Sequence, residues 1–467
     1  MKDNNYSRKV VYKRPLLIIM YLIISFLFVI LMINIRNVDF YIWSKYFTVI
    51  IISQFIFQYM FFKLIEFKLF SLTGMFLVLS YLFHFGQLVI MVLFPDYEFG
   101  RFNFFTFYDS QGLKIASEFA LITIIMVGFG ILISLNNRNV NINVNIIFKD
   151  TLSQCRKIGW IIVFFTFPIQ IYVDMTKLII SITKGYLATY QAGIAGIWES
   201  IGFISFIGFT LLILGYKEQK EKSLLIFAFI IIYLFLTMIS GHRGHQLTII
   251  LFLAYIVHMT VYRVRGKKLI FISAIVFIGL AFLNTLATFR DISGKTITVF
   301  WKLMLDNLEG DSIKDMIVEL GGTINTLYLV MKQVPDIISY TYGATYPLSI
   351  FSIIPNIGNS FTNINTFAYY VKNLHGSALG GSYIGELYYN FSYFGLLIAP
   401  FVGFFVNWIS NKVEFLIYNK DYFKLAYYAP LFIYILWWPR DTFYSMLRPF
   451  VWSAVILFVL NNIIKNE

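Results

Sequence analysis

Arg243, Arg290 and Arg440 are the side chains whose chemistry stands out from an otherwise apolar chain. A guanidinium offers five donors in a fixed fork that fits phosphate oxygens. Several at one depth suit a multiply charged anion such as a pyrophosphate. Arg243 lies in SGHRGHQL (240–247), a short hairpin between LLIFAFIIIYLFLTMI and TIILFLAYIVHMTVY, where Gly241 and Gly244 permit a tight turn and close approach to a ligand. Arg290 stands beside Asp291 in LATFRDISG, and Arg440 precedes Asp441 in WWPRDTFYSMLRPF. In GGSYIGELYYNFSYFG, Glu386, Asn390 and Tyr393 fall at i, i+4 and i+7, one polar face of a helix. A carboxylate one turn into an apolar span needs a partner, and an arginine from another loop is the natural one. His375, just ahead in KNLHGSALGG, and Glu386 are the candidate general bases for a hydroxyl, a role worth about 10²–10⁴-fold in rate. Tyr389, with Tyr388, Trp437 and Trp438, fits an interfacial aromatic belt first and a sugar-stacking surface second.

Each of these residues has a plainer reading. Arg243 can snorkel to lipid headgroups, Arg290 can pair locally with Asp291 at a helix end, and Arg448 beside Pro449 reads as an interface anchor. His84 and His258 lie within apolar runs and read as packed, hydrogen-bonded histidines, while His242 and His245 read as solvated neighbours of Arg243.

The elements that must hold these residues follow from composition. Of 467 residues, 59% are hydrophobic and only 13% charged, about half the charged fraction of a soluble domain, which is roughly 25%. Pro15–Asn34 and Leu269–Phe289 are long runs without an internal charge, and about twenty apolar residues in helix cross the hydrocarbon layer. Lipid offers no partner to backbone amides, so such runs are predicted helical. The chain reads as an all-α polytopic membrane protein of about twelve spans. They are placed at 15–34, 45–65, 70–94, 115–135, 158–180, 198–215, 223–240, 245–262, 269–289, 385–410, 423–438 and 447–464. The first run is too long for a signal peptide and lacks the small residues of a cleavage site, so it is predicted to be retained.

A net charge of +13 would suggest nucleic acid in a soluble protein, but no such partner is expected here. The alternation of spans collects the basic excess on one side, most clearly in the loop carrying Arg263, Arg265, Lys267 and Lys268. The positive-inside rule then puts both termini in the cytoplasm and Arg243, Arg290, His375, Glu386 and Arg440 at the outer face. The layout is nine spans over 1–289, a large extracytoplasmic loop over 290–384 between spans nine and ten, and three spans over 385–467. Within the loop, Ile313, Met316, Ile317, Leu320, Ile324, Leu327, Tyr328 and Met331 form one apolar stripe, predicted to lie on the membrane surface or pack over the bundle. TYPLSIFSIIPNIG is apolar but broken by Pro347 and Pro355, and suits a re-entrant or surface-lying segment. The single cysteine, Cys155, excludes a disulfide framework and a cysteine metal site, and no phosphate-binding Gly-rich loop is present.

Taken together, SGHRGHQL on a short outer hairpin, FRD after the following spans, the large outer loop, GGSYIGELYYNFSYFG opening the next span and an arginine in the last outer turn resemble the Wzy-type polymerases of bacterial O-antigen and capsular polysaccharide. The resemblance covers roughly residues 230 to 450, with GELYYNF its most specific part. It implies transfer of a glycan block from undecaprenyl pyrophosphate to a sugar hydroxyl of a new lipid-linked repeat unit, on the outer face of the plasma membrane, with no metal, cofactor or nucleotide sugar. The family's arginines would carry over to Arg243, Arg290 and Arg440, which would hold the diphosphate, and His375 is the candidate for the loop histidine that the related lipid-carrier ligases use. Asn390, Tyr389 and Tyr393 would line the sugar site. Membrane lipids, and the flippase and chain-length regulator of the same pathway, are the implied partners.

Three other readings share parts of this pattern. An O-antigen ligase uses the same donor and differs in acceptor. A flippase places charge at mid-membrane and often repeats its halves, whereas here nine spans, a loop and three spans are unlike halves. An inert scaffold of an assembly complex would tolerate loss of Arg243.

Overall fold

The structure, a computed structural model, describes residues 4–64, 68–99, 109–134, 148–185, 188–189, 196–240, 243–264, 296–309, 312–355, 365–374 and 380–465, with isolated positions between 278 and 289. Among them every regular element is helical. In chain order these are α1 (Asn4–Asn34), α2 (Phe40–Leu64), α3 (Leu72–Leu93), α4 (Ser110–Ser134), α5 (Phe148–Lys184), α6 (Gly196–Gly215), α7 (Lys220–Thr237) and α8 (Gly244–Thr260). They continue with α9 (Ile297–Glu309), α10 (Ser312–Leu320), α11 (Thr323–Gln333), α12 (Thr345–Leu348), α13 (Phe367–Asn373), α14 (Tyr383–Phe391), α15 (Gly395–Tyr418), α16 (Tyr422–Trp437) and α17 (Phe443–Lys465). Helix starts carry side-chain caps that satisfy otherwise orphaned amides: Ser71 accepts from Gly74 N, Ser382 from Gly385 N and Asp421 from Lys424 N.

Among the described residues, nine helical stretches are long and apolar enough to cross a membrane: Pro15–Asn34, Phe40–Leu64, Leu72–Leu93, Ser110–Ser134, Thr151–Lys184, Gly196–Gly215, Lys220–Ser240, Tyr383–Tyr418 and Phe443–Ile464. Each corresponds to a predicted span. The predicted spans at 245–262 and 423–438 are helices of 17 and 16 residues, rising about 25 Å against a hydrocarbon layer of about 30 Å. The predicted span at 269–289 lies largely outside the described residues.

The apolar stripe of 313–331 is not one helix. It breaks at Gly321–Gly322 into α10 and α11, because the Gly321 backbone rests on Gly86 and Gln87 of α3, where a Cβ would lie 2.4 Å from Gln87 N. Gln87 also donates to Val318 O at 3.0 Å. The second half is core rather than surface: Ile324, Leu327, Tyr328 and Val330 are buried, and α11 packs on α3, α4 and α14.

The chain forms two compact units. Unit 1 comprises Met1–Val140, Ile317–Gly343 and Gly381–Ser410, and unit 2 comprises Asn141–Met316, Ala344–Gly380 and Asn411–Glu467. In unit 1, α4 and α15 meet backbone to backbone. A Cβ on Gly130 would lie 1.8 Å from Pro400 O, and one on Gly403 2.0 Å from Val127 O. This is the small-residue contact by which helices associate in lipid, where apolar side chains gain nothing by leaving the hydrocarbon. Buried polar groups are paired in chains. Tyr81 donates to Gln58 Oε1 (2.8 Å), Gln58 Nε2 to the Tyr21 hydroxyl (3.1 Å), and Tyr21 to Ile125 O (2.9 Å). His84 Nδ1 lies 2.9 Å from the Ser80 carbonyl, so it carries the proton; Nε2 then accepts from Ser382 Oγ at 2.8 Å. His84 is thus a packed histidine, as predicted.

In unit 2, α5 and α6 run side by side, with Phe167 of α5 set edge-on against Phe209, Phe229 and Tyr233. Within TYPLSIFSIIPNIG, residues 345–353 form α12 and a 3-10 turn, Ser349–Ile353, seated on α17.

Candidate functional site

Each unit carries some of the residues singled out by their chemistry. In unit 2, Arg243 immediately precedes α8, and the approach of α8 to α16 fixes its place. Gly244 packs so closely on Trp437 that a Cβ would lie 1.8 Å from the ring. Three residues past that ring, Arg440 ends the 3-10 turn Trp438–Arg440. Gly380 seats against Arg440, where a Cβ would lie 2.8 Å from both its Cγ and its carbonyl oxygen. The α8–α16 contact therefore brings Arg243 and Arg440 to one end of unit 2, both part-exposed.

Further ionisable groups gather at that end, and sequence reasoning passed over most of them. Lys177 pairs with Glu199 at 2.7 Å across α5 and α6. Asp174 accepts from Gln170 Nε2 (2.7 Å) and from the Tyr233 hydroxyl (2.5 Å). His245, read as solvated, instead stands between Phe203 (5.6 Å) and Tyr434 (4.9 Å), with Nε2 buried and without a hydrogen-bond partner. Its exclusion from water follows from Gly244, which draws α8 onto α16. Asp441 accepts from Thr442 N (2.7 Å) and Ser445 Oγ (2.8 Å), yet loss of water pushes its carboxyl up to about 6.

Arg448, read as an interface anchor, makes its hydrogen bonds to the chain's own backbone. Its Nε donates to Ser352 O and its Nη2 to Ile354 O (3.4 Å), while Trp452 Nε1 donates to Ile353 O at 2.8 Å. Three successive carbonyls leaving the 3-10 turn are thereby satisfied, which is what permits irregular backbone in an apolar setting.

In unit 1, Glu386 and Asn390 share a face of α14, as predicted, and both are fully buried. Asn390 Nδ2 donates to Glu386 O (2.8 Å), and its Oδ1 accepts from Thr341 Oγ1 (2.8 Å). The face does not extend to Tyr393. The helix stops at Phe391, Ser392 takes a left-handed φ of 55°, and a 3-10 turn precedes α15. Tyr389 is enclosed at 1% exposure, so the ring that reaches the surface is Tyr393, at 54%.

Beside Tyr393 is a cluster drawn from three elements. Arg36, after α1, donates through Nε (2.8 Å) and Nη2 to Glu118 Oε2 of α4. Glu118 is 2% exposed and Arg36 43%; the bond to Glu118 holds the guanidinium above its usual pKa. Lys114 donates to Arg36 O (3.1 Å) and Val38 O (2.5 Å), locking the α1–α2 turn onto α4. Phe119 meets the Tyr388 and Tyr393 rings edge-on at 5.4 and 5.8 Å. A carboxylate within an apolar helix was the signal available for Glu118, the same one that marked Glu386.

Arg290, Asp291, His242 and His375 lie outside the described residues. Among the described residues no group of His, Cys, Asp and Glu is arranged to hold a metal ion.

These features define an integral membrane protein of apolar helices with arginine, carboxylate and aromatic side chains grouped at helix ends. The family model for O-antigen polysaccharide polymerase Wzy matches residues 16–465, nearly the whole chain. The protein belongs to that family, and by membership it is a polysaccharide polymerase, an enzyme of the glycosyl-transfer kind. Comparison with curated proteins and with solved structures gives no match.

Proposed function

We propose that the protein joins undecaprenyl-pyrophosphate-linked oligosaccharide repeat units into surface polysaccharide on the outer face of the plasma membrane. The observation that carries this reading is the α8–α16 contact, which sets Arg243 and Arg440 at one end of unit 2. Two guanidiniums at that end suit the diphosphate of the donor, with Arg290 as the third. A hydroxyl oxygen of the acceptor repeat attacks C1 of the donor's reducing-end sugar. The C1–O bond to phosphate breaks, undecaprenyl diphosphate leaves, and the hydroxyl proton passes to a base. Arginines aimed at the leaving diphosphate stabilise its charge as it develops. Glu386 is fully enclosed, so in this reading it orders α14, and His375 takes the hydroxyl proton.

A strain lacking the protein, complemented with the wild type or with R243A, tests the proposal by polysaccharide length. Single attached repeats with R243A, and a full ladder with the wild type, support a polymerase. Long unattached chains would identify a ligase, and normal polymer from R243A would leave only a scaffold.

A further inference from the structure

Block transfer needs two lipid-linked substrates, each with a diphosphate at headgroup depth. The unit 2 arginines account for one. In unit 1, Arg36 lies two residues beyond the span Pro15–Asn34, the depth at which a lipid phosphate sits. Its guanidinium is aimed rather than free. Glu118, almost wholly buried, takes Nε and Nη2 through a single oxygen, leaving Nη1 with no partner among the described residues. Lys114 fixes the backbone that bears it. Two cations against one carboxylate leave the cluster positive. Tyr393, held edge-on by Phe119 and Tyr388, stands more than half exposed against the turn of α4 that carries Glu118. A fixed guanidinium beside an exposed phenol at an interface suits the phosphate of a lipid headgroup.

The geometry points to Arg36, aligned by Glu118 and flanked by Tyr393, as a second lipid-diphosphate site that takes the acceptor lipid while Arg243 and Arg440 take the donor. This rests on the polymerase reading above. Glu118 is a positioning residue here, since it acts through Arg36.

The test titrates the full-length protein, in phosphatidylcholine nanodiscs, with undecaprenyl diphosphate and counts bound molecules by native mass spectrometry. The wild type binds two per chain. R36A, which loses one charge-assisted pair, weakens one of them roughly tenfold or more. R243A/R440A weakens the other and spares the Arg36 site. R36A leaves Glu118 without its cation, so R36A/E118A serves as the variant free of a stranded carboxylate and gives the same loss. E118Q keeps the Arg36 charge but weakens its alignment, and gives a smaller loss. In polymerisation assays R36A raises the acceptor KM and leaves the donor KM unchanged. One molecule bound to the wild type, or R36A binding as the wild type does, overturns the proposal. So does equal displacement by phosphatidylglycerol, which would mark Arg36 as a general phospholipid anchor. Failure of the polymerase reading is separate: R243A/R440A would then support a full polysaccharide ladder in cells, whatever R36A does.

Discussion

Replacing Gly244 by alanine puts a methyl group where the Trp437 ring now lies. The added Cβ would sit 1.8 Å from Cη2, 2.4 Å from Cζ3 and 2.5 Å from Cζ2 of that ring. Ordinary contact is 3.4–4 Å, so the ring or the whole of α8 must retreat by about 2 Å, the scale of overpacking that costs about 1–3 kcal/mol. Because Arg243 is the residue before and Arg440 follows the ring closely, the shift falls on the spacing of the two guanidiniums. Misplacement of about 1 Å at a catalytic constellation costs about 10²-fold in rate. G244A is therefore expected to lower polymerisation by about that factor while the protein still folds, with a modest fall in thermal unfolding temperature in detergent. G244A/W437L, which returns the space, is expected to recover most of the loss. Polymerisation by G244A at the wild-type rate would refute the link between this packing contact and the site, as would a loss that W437L fails to relieve.

R448A leaves the Ser352 and Ile354 carbonyls without their donors; a destabilisation of about 3 kcal/mol is expected, read as a lower unfolding temperature that R448K restores only in part. Asp441 titrates near 6 when folded against an ordinary 3.8, so its contribution to stability is full below 3.8 and is lost as pH rises through about 6. Stability of D441N, which cannot titrate there, is expected to exceed that of the wild type at pH 7, with the gap closing toward pH 4; parallel profiles would contradict this. N390A removes the bonds to Glu386 O and Thr341 and is expected to loosen the segment around Thr341, read as faster amide exchange there and not in α16.

The spans were legible because lipid imposes one solution on a long apolar run, and Pro15–Asn34 is helix as read. The shared face of Glu386 and Asn390 was legible too, because helical periodicity is local. Its end was not: nothing in YYNFSYF announces the left-handed Ser392 that turns Tyr393 away from that face. The break at Gly321 depends on α3 passing beneath it, a tertiary cause that the stripe 313–331 does not carry. The same holds for the partners of Arg448, about a hundred residues upstream, and for the pairing of Arg36 with Glu118 across 82 residues. Glu118, Asp174 and Lys177 were nonetheless within reach of the rule that drew notice to Glu386, since each is a charge in an apolar helix.

The most direct test of the central claim supplies purified protein with undecaprenyl-pyrophosphate-linked repeat units and follows the products on a gel. The account predicts a ladder of increasing repeat number from the wild type, slowed by about 10²-fold or more in R243A and in R440A, with lipid-linked substrate left unconsumed. A wild-type protein that makes no ladder from authentic repeat units, or variants whose ladders match it, would contradict the account.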